Sequence, residues 1–292
     1  MLSILIPTRD YSCRTLVESL HRQADSLGIG YEIIVGEDGS SQKNIALNAP
    51  LAQMPHCRII VQQTNVGRSK IRNILAQEAL GRNILFIDSD AVVEQEDILK
   101  LYSEALEEHS VVCGGLYHSE HPLTNSCTLR HRYERAADKR RSAKERSKAP
   151  YDRFTTFCFA IRRELFLEIR FDESIKNYGY EDTLFGYELR KRGVQIKHID
   201  APLLHIGLES NKVYLAKVEE SLHTLLQLQD KIAPTTLLRC YTRLKKLHLT
   251  GIILFVWKAL RHILRANLLS KHPSLTMLNF YKLGYYCSIS QK

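Results

Sequence analysis

The chain is short of the features that usually announce a fold or an activity. Its seven cysteines (13, 57, 113, 127, 158, 240 and 287) form no CxxC pair and are odd in number, so neither a zinc ribbon nor a disulfide framework is indicated. Reduced thiols in a cytoplasmic protein are expected instead. No apolar run approaches the roughly 18–20 residues that a membrane-crossing helix needs. The opening MLSILIPTRD meets Pro7 too soon to read as a signal peptide. A phosphate loop of the GxxxxGK[ST] type is missing, and NVGRSKIRN (65–73) has one glycine. Neither GxGxxG nor GxSxG occurs, which removes the usual dinucleotide and serine-hydrolase signatures.

Acidic residues are missing from one region altogether. From Lys231 onward there are 11 Lys/Arg and no Asp or Glu, so residues 1–230 carry 30 basic against 32 acidic groups. The overall charge of +9 therefore belongs to the tail. Hydrophobic residues at 44% and charged residues at 25% describe an ordinary globular chain, and 292 residues suffice for one large domain with an appendage. The partition expected is 1–230 and 231–292.

The first 200 residues alternate β-branched runs with segments of helical period. Apolar runs at 3–7, 33–36, 58–62, 84–88 and 111–116 read as strands, with helices near 11–27, 67–80 and 94–108. The fold class expected is α/β, a mostly parallel sheet flanked by helices. Such sheets bind ligands beyond the carboxyl ends of their strands. That rule selects Pro7-Thr8-Arg9, Glu37-Asp38-Gly39-Ser40 and Asp88-Ser89-Asp90.

The last of these poses the sharpest question. In NILFIDSDAV (83–92) a run of apolar residues ends in two carboxylates separated by one serine. Residues two apart at a strand end project to one side, and two carboxylates so close repel unless a cation lies between them. Mg²⁺ or Mn²⁺ would satisfy them; equally, the pair could cap a helix starting near Glu94. Asp38-Gly39 could be turn chemistry, Arg68 a surface charge and His205 an ordinary histidine at a strand end. Glu181 and Asp182 open a helix that runs to Arg192, where acids suit the positive end of the dipole and keep a carboxylate ionised. Gly186 inside that helix hints at a closely approaching backbone. Residues 130–148 hold nine Lys/Arg and three acids at helical spacing, either a solvated face or a basic lip beside an anionic substrate.

Taken in order, SILIPTRDYSCRTLVESL, EIIVGEDGSS, NVGRSKIRNILAQEALGRNILFIDSDAV and the Gly179, Glu181, Asp182, His205-Ile206-Gly207 series resemble the family 2 glycosyltransferases. The likeness covers roughly residues 1–230. It implies the GT-A nucleotide-sugar-binding fold and inverting transfer with Mn²⁺ or Mg²⁺. By that resemblance Pro7, Thr8 and Arg9 border the nucleobase and Asp38 accepts from a uracil N–H. Gly67, Arg68 and Ser89 line the nucleotide, and Asp88 faces the ribose or the ion's water shell. Asp90 and His205, with Asp88, hold the metal. Asp182 is the general base, and Glu181, among the nucleotide-sugar-binding residues, orients the acceptor or a neighbouring arginine. Arg9, Asp10 and Glu37 depart from the family's commoner residues there, which leaves base stacking open.

The tail lies outside that pattern. GIILFVWKALRHIL (251–264) fits a helix in a membrane interface, with Trp257, Phe255 and leucines buried and cations facing anionic headgroups. The rival reading is a helical appendage packed on the catalytic domain or on a second subunit, as in a homodimer. A nucleic-acid partner is not expected, since no aromatic-basic module occurs. The function expected is transfer from a nucleotide-sugar donor, a UDP-sugar by preference, to a hydroxyl of a glycan or lipid-linked saccharide. The site would be cytoplasmic or the inner face of the membrane. A nucleotidyltransferase, or a catalytically silent subunit of a glycan-assembly complex, are the competing readings; the former lacks its glycine-rich loop in PTRDYSCRT (7–15).

Overall fold

The computed structural model describes residues 1–122 and 124–291, so Lys292 of the basic tail lies outside the described residues. The chain forms two compact units. The first comprises Met1–Ser119, Asp138–Lys176 and Glu181–Gly207; the second comprises Glu120–Ala137, Asn177–Tyr180 and Leu208–Lys292. These units are drawn differently from the expected 1–230 and 231–292 partition, because the segment from Leu208 to Asp230 joins the C-terminal helices.

In chain order the strands are β1 (Leu2–Thr8), β2 (Tyr31–Asp38), β3 (Cys57–Gln62), β4 (Asn83–Ile87), β5 (Ala91–Val92), β6 (Val111–Cys113), β7 (Leu116–Tyr117), β8 (Cys158–Arg162), β9 (Ile196–His198) and β10 (Leu203–His205). The helices are α1 (Arg14–Leu27), α2 (Gln42–Asn48), α3 (Arg68–Glu78), α4 (Ile98–Glu108), α5 (Thr128–Asp138), α6 (Ala143–Arg146), α7 (Arg163–Ile169), α8 (Glu181–Lys191), α9 (Asn211–Leu228), α10 (Thr236–Lys246), α11 (Thr250–Leu268) and α12 (Leu275–Ile289).

Seven strands form the main sheet of the first unit in the order β3-β2-β1-β4-β8-β6-β9. The first four run parallel, and β8 is antiparallel to both β4 and β6. Strand alternation sends side chains to two apolar layers. Ile4, Ile6, Ile33, Val35, Leu85 and Ile87 meet α1 and α4 on one face. Leu5, Ile34, Ile84 and Phe86 meet α3, α7 and α8 on the other, with Phe159, Phe166, Phe171 and Phe185. The chain moves outward from β1 through β2 to β3 and then returns to β1's other side as β4. The switch point therefore lies between β1 and β4, where a ligand crevice forms in such sheets.

Two local expectations change. The run 111–116 is not one strand: it breaks at Gly114-Gly115, and β7 enters a second sheet of order β5-β10-β7. Arg146 holds that break. Its Nη1 donates to Cys113 O (2.8 Å), and its Nη2 to Gly114 O (2.8 Å) and Ile199 O (2.7 Å). Thus one cation of the 130–148 segment is neither a solvated charge nor a substrate lip but a buried tie, 3% exposed. Secondly, the helix expected from 94 starts at Ile98, with Asp97 as its N-cap. Asp88 and Asp90 are followed instead by β5, so the capping reading of that pair falls.

Gly186 does mark a close approach: a Cβ there would sit 2.7 Å from Tyr151 O.

In the second unit, α9, α11 and α12 enclose Tyr214, Leu215, Val218, Leu264, Leu268, Leu278 and Tyr281 together with Leu129 of α5. Trp257 belongs to this core at 6% exposure, beside Tyr281 and Tyr285. The expectation that Trp257 faces a membrane interface is corrected accordingly.

Candidate active site

Three side-chain groups converge at the carboxyl edge of the parallel strands. The β1 end supplies Pro7, buried Thr8 and exposed Arg9. Thr8 Oγ1 donates to Tyr11 O at 3.2 Å, closing the turn. The β2 end supplies Glu37 and Asp38, both buried. Glu37 accepts from Asn48 Nδ2 (2.6 Å) and Ser40 Oγ (2.5 Å). Asn48 Oδ1 in turn accepts from the Cys13 N–H at 2.8 Å, so a buried polar network fixes the start of α1. Asp38 takes the Val66 N–H on Oδ1 (2.6 Å) and the Gly67 N–H on Oδ2 (3.1 Å). It therefore pins the loop that leads into α3, and each of its oxygens keeps a second lone pair.

The centre of the second group is a residue to which the sequence assigned no role. Arg72, on α3, is 2% exposed and donates from Nη2 to Asp88 Oδ1 at 2.5 Å. Its Nη1 donates to Arg68 O at 3.2 Å. One turn earlier, Arg68 Nη1 meets Glu181 Oε1 at 3.5 Å. Burial raises the Asp88 pKa, with Arg72 opposing and Asp90 adding to the rise. Asp182, next to Glu181 at the start of α8, accepts the Thr183 N–H on Oδ1 at 2.6 Å. Its pKa is pushed up to about 6, chiefly by burial and then by Glu181, with Arg72 pulling the other way. The helix dipole was expected to favour the ionised form; desolvation outweighs it. Arg72 thus acts electrostatically on two carboxylates from different elements.

The third group is built by the small sheet. Antiparallel pairing of β5 with β10 sets His205 opposite Ala91, and Ile206 N donates to Asp90 O at 3.1 Å. His205 Nε2 consequently lies 3.0 Å from Asp90 Oδ2. Gly207 is what makes room: a Cβ there would fall 1.9 Å from Asp90 Oδ2. Parallel pairing of β10 with β7 brings up His118, whose Nε2 is 3.0 Å from His205 Nδ1. His118 Nδ1 is 3.2 Å from Asp138 Oδ1 and 3.0 Å from Arg141 Nη1. Arg141 also donates to Asp138 Oδ1 at 2.9 Å. None of His118, Asp138 and Arg141 was singled out from the sequence, since only tertiary pairing puts them behind His205.

This histidine pair conducts hydrogen bonds in either direction. With Asp138 as terminal acceptor, His118 Nδ1–H and His205 Nδ1–H both donate, leaving the His205 Nε2 lone pair for a cation. With Arg141 donating to His118 Nδ1, the order reverses and His205 Nε2–H donates to Asp90. The first direction is the carboxylate–histidine arrangement that prepares imidazoles as metal ligands.

Among the described residues no three His, Cys, Asp or Glu side chains form a cage for a cation by themselves. What exists is one edge of a coordination sphere. Bonds of about 2.1 Å at right angles separate neighbouring ligand atoms by about 3.0 Å in an octahedron, which is the Asp90–His205 spacing. The remaining positions suit diphosphate and water oxygens. Asp88 stays with Arg72. Ser89 sits in the turn between the two aspartates, half-buried. The oxygen and imidazole donors of Asp90 and His205 are of a kind that suits Mg²⁺ or Mn²⁺.

Comparison with known proteins bears on the family and the fold. Residues 3–170 match the family described as Glycosyl transferase family 2. The chain is 25% identical over 244 residues to the uncharacterized glycosyltransferase EpsJ of Bacillus subtilis (strain 168), covering 80% of this chain and 69% of that protein. It is 31% identical over 88 residues to glycosyltransferase GlyA of Streptococcus pneumoniae serotype 4, which is 30% of this chain but only 13% of that much longer protein. Among solved structures it resembles the mannosyltransferase PcManGT from Pyrobaculum calidifontis, in complex with GDP-Man and Mn²⁺. There the TM-score is 0.58 and the identity 13%, over 99% of this chain and 85% of that one. Staphylococcus aureus TarS 1-349 in complex with UDP-GlcNAc gives a TM-score of 0.51 and 18% identity, over 77% of this chain and 66% of that one. Those two likenesses establish the GT-A fold expected from the sequence. With more than half of its length matched by the family, the chain belongs to glycosyl transferase family 2.

Proposed function

We propose that the protein is a metal-dependent, inverting glycosyltransferase that takes a sugar from a nucleotide-sugar donor, a UDP-sugar by preference, to a hydroxyl of a glycan or lipid-linked saccharide. The observation that carries this reading is the Asp90–His205 edge at 3.0 Å, beside Asp88 at the carboxyl end of β4. TarS 1-349 was solved with UDP-GlcNAc and PcManGT with GDP-Man and Mn²⁺, which supports a nucleotide-sugar and a divalent ion here.

Thr8, Arg9 and Asp38 border the base, and Gly67 and Arg68 approach the nucleotide from the start of α3. Asp88, oriented by Arg72, would face the ribose or the water shell of a bound ion. Asp90 and His205 hold the ion, which when bound offsets the negative charge of the departing diphosphate. Asp182 takes the acceptor hydroxyl's proton as that oxygen bonds to the anomeric carbon. The bond from that carbon to the diphosphate oxygen breaks with its electron pair, and the nucleoside diphosphate leaves from the opposite face. A base whose pKa is pushed up to about 6 is ionised at neutral pH yet basic enough to accept that proton. Glu181, paired with Arg68, orients the acceptor.

Incubation with UDP-, GDP- and dTDP-sugars, with Mn²⁺ or Mg²⁺ and with the metal chelated, tests the reading. Metal-dependent release of a nucleoside diphosphate is expected from the matching donor. Pyrophosphate formed from a sugar 1-phosphate and a nucleoside triphosphate would point to a nucleotidyltransferase instead. Neither binding nor release from any donor would point to a silent subunit.

A further inference from the structure

The charge asymmetry resolves onto one of the two compact units. The unit made of Glu120–Ala137, Asn177–Tyr180 and Leu208–Lys292 carries 16 Lys/Arg against 6 Asp/Glu, a net +10, whereas the other carries 25 against 26. Within the basic unit, α11 has two apolar faces. Trp257, Leu264 and Leu268 are buried in its core. On the other side Ile252 (59% exposed), Phe255 (75%), Leu260 (39%) and Ile263 (63%) face solvent. At 100° per residue these four side chains, with Val256 and Ala259 between them, fall in an arc of about 140°. Lys258 and His262 flank one edge of that arc, while Arg261 lies on the far side of the helix; all three are exposed. Arg239, Arg243, Lys245 and Lys246 of α10 are exposed as well.

A helix gains nothing from holding a phenylalanine and two isoleucines in water on one contiguous stripe, and such a stripe rimmed by polar residues marks an interaction surface. Lys258 at its edge and the exposed cations of α10 choose that surface. A protein partner would need an acidic rim around an apolar groove. An anionic phospholipid surface supplies both chemistries without further specificity: acyl chains accept the stripe while headgroup phosphates meet the cations, whose long stems follow the apolar face outward. Past Leu269, which is also exposed, Lys271 and His272 join His131 and Arg132 around a recess of about 460 Å³ that is open to a phosphate-sized anion. None of the described residues lining it is acidic. Among the described residues no single helix is long and apolar enough to cross a membrane, while α10 and α11, bent by 116° at the break between them, pass that test of length and composition together; the cations Arg243, Lys245 and Lys246 before that break favour a stripe that lies along the bilayer surface.

We infer that the exposed face of α11 docks this protein on an anionic phospholipid surface, with Ile252, Phe255 and Ile263 entering the acyl boundary and the surrounding cations on the phosphates. The inference goes beyond the glycosyl-transfer reading. It places the enzyme where a lipid-linked acceptor resides, and in a cytoplasmic protein that surface is the inner leaflet.

The experiment is flotation of the full chain with vesicles of phosphatidylcholine alone, or with 30% phosphatidylglycerol as about a third of the lipid. Wild type is expected to float with the anionic vesicles, less with the neutral ones, and less again as salt is raised. Phe255→Ser should weaken binding about tenfold, and adding Ile252→Ser and Ile263→Ser should abolish it. All three positions are exposed, so thermal unfolding and nucleoside diphosphate release should be unchanged, which separates failure of this inference from failure of the activity. Wild type that stays at the bottom of the gradient with anionic vesicles, or a triple variant that floats like wild type, overturns it. So does a wild-type dimer in sedimentation without lipid that Phe255→Ser converts to monomer, because a second copy would then be the occupant.

Discussion

Arg72 reaches from the first half of α3 to Asp88 with a 2.5 Å charge-assisted hydrogen bond, while only 3% of its side chain is exposed. The same guanidinium opposes the upward shift of both the Asp88 and Asp182 pKa values. A buried cation shared by two carboxylates makes the site a single electrostatic unit.

Arg72→Met should therefore damage both stability and activity. Removing one member of a buried pair leaves a charge without its partner, which costs about 2–3 kcal/mol given the partial exposure of Asp88. Urea denaturation should show that loss, and the Asp182 base should titrate higher than in wild type. Arg72→Met with wild-type stability and an unchanged pH profile would remove Arg72 from the account.

For Asp182 the sign of the pH dependence follows from its state as a base. It must be ionised to accept a proton, and its pKa is pushed up to about 6 by burial and Glu181. The rate should fall as pH drops through that value, by about tenfold between pH 7 and pH 5. Asp182→Asn should keep donor affinity, measured by calorimetry, and lose at least about a thousandfold in transfer, with no remaining rise over that pH range.

Gly207→Ala isolates the metal edge from the rest of the crevice. The added methyl carbon would fall 1.9 Å from Asp90 Oδ2 and must displace that carboxylate. Affinity for Mn²⁺ in the presence of nucleoside diphosphate, read by electron paramagnetic resonance, should drop about tenfold or more. The melting temperature should change little, since the side chain to be moved is partly exposed. An unchanged Mn²⁺ affinity would show that Asp90 does not hold the ion.

His118 and Asp138 are expected to act on the ion through His205. His118→Phe keeps an aromatic ring but ends the hydrogen-bond chain, and Asp138→Asn removes the acceptor that sets its direction. Either change should weaken Mn²⁺ binding by about 10–100-fold without altering metal-free binding of nucleotide. The spectroscopic readout again needs no turnover.

Much of this was legible before folding was considered. Strand ends could be found from apolar runs that stop in polar residues, and Asp88-Ser89-Asp90 stood out because four apolar residues, Ile84 to Ile87, lead straight into it. His205 entered only through the order of motifs, and the small β5-β10-β7 sheet supplies the physical reason: it pairs His205 with the chain just past Asp90. Arg72 sat in plain view inside RSKIRN, yet its position on a helix does not reveal that its face is buried. His118 and Asp138 lie 87 and 67 residues from His205 in sequence, and no local pattern links them to it.

Two other differences have the same root. Trp257 and Phe255 share an apolar helix, and composition alone does not say which of its two faces packs inward; α12 takes the tryptophan and leaves the phenylalanine outside. Asp182 occupies a first helical turn, where a dipole argument favours ionisation, but burial beside Glu181 dominates. Local rules were sufficient where the neighbours are local, and tertiary desolvation decided the rest.

The central claim is that one divalent ion rests on Asp90 and His205 beneath a nucleotide-sugar diphosphate. Anomalous scattering at the manganese edge, from crystals grown with Mn²⁺ and UDP, tests it directly. The account predicts a single peak about 2.2 Å from both Asp90 Oδ2 and His205 Nε2, with diphosphate oxygens completing the shell. Nucleotide bound in the crevice with no peak at that edge, or with the ion on other residues, would contradict it.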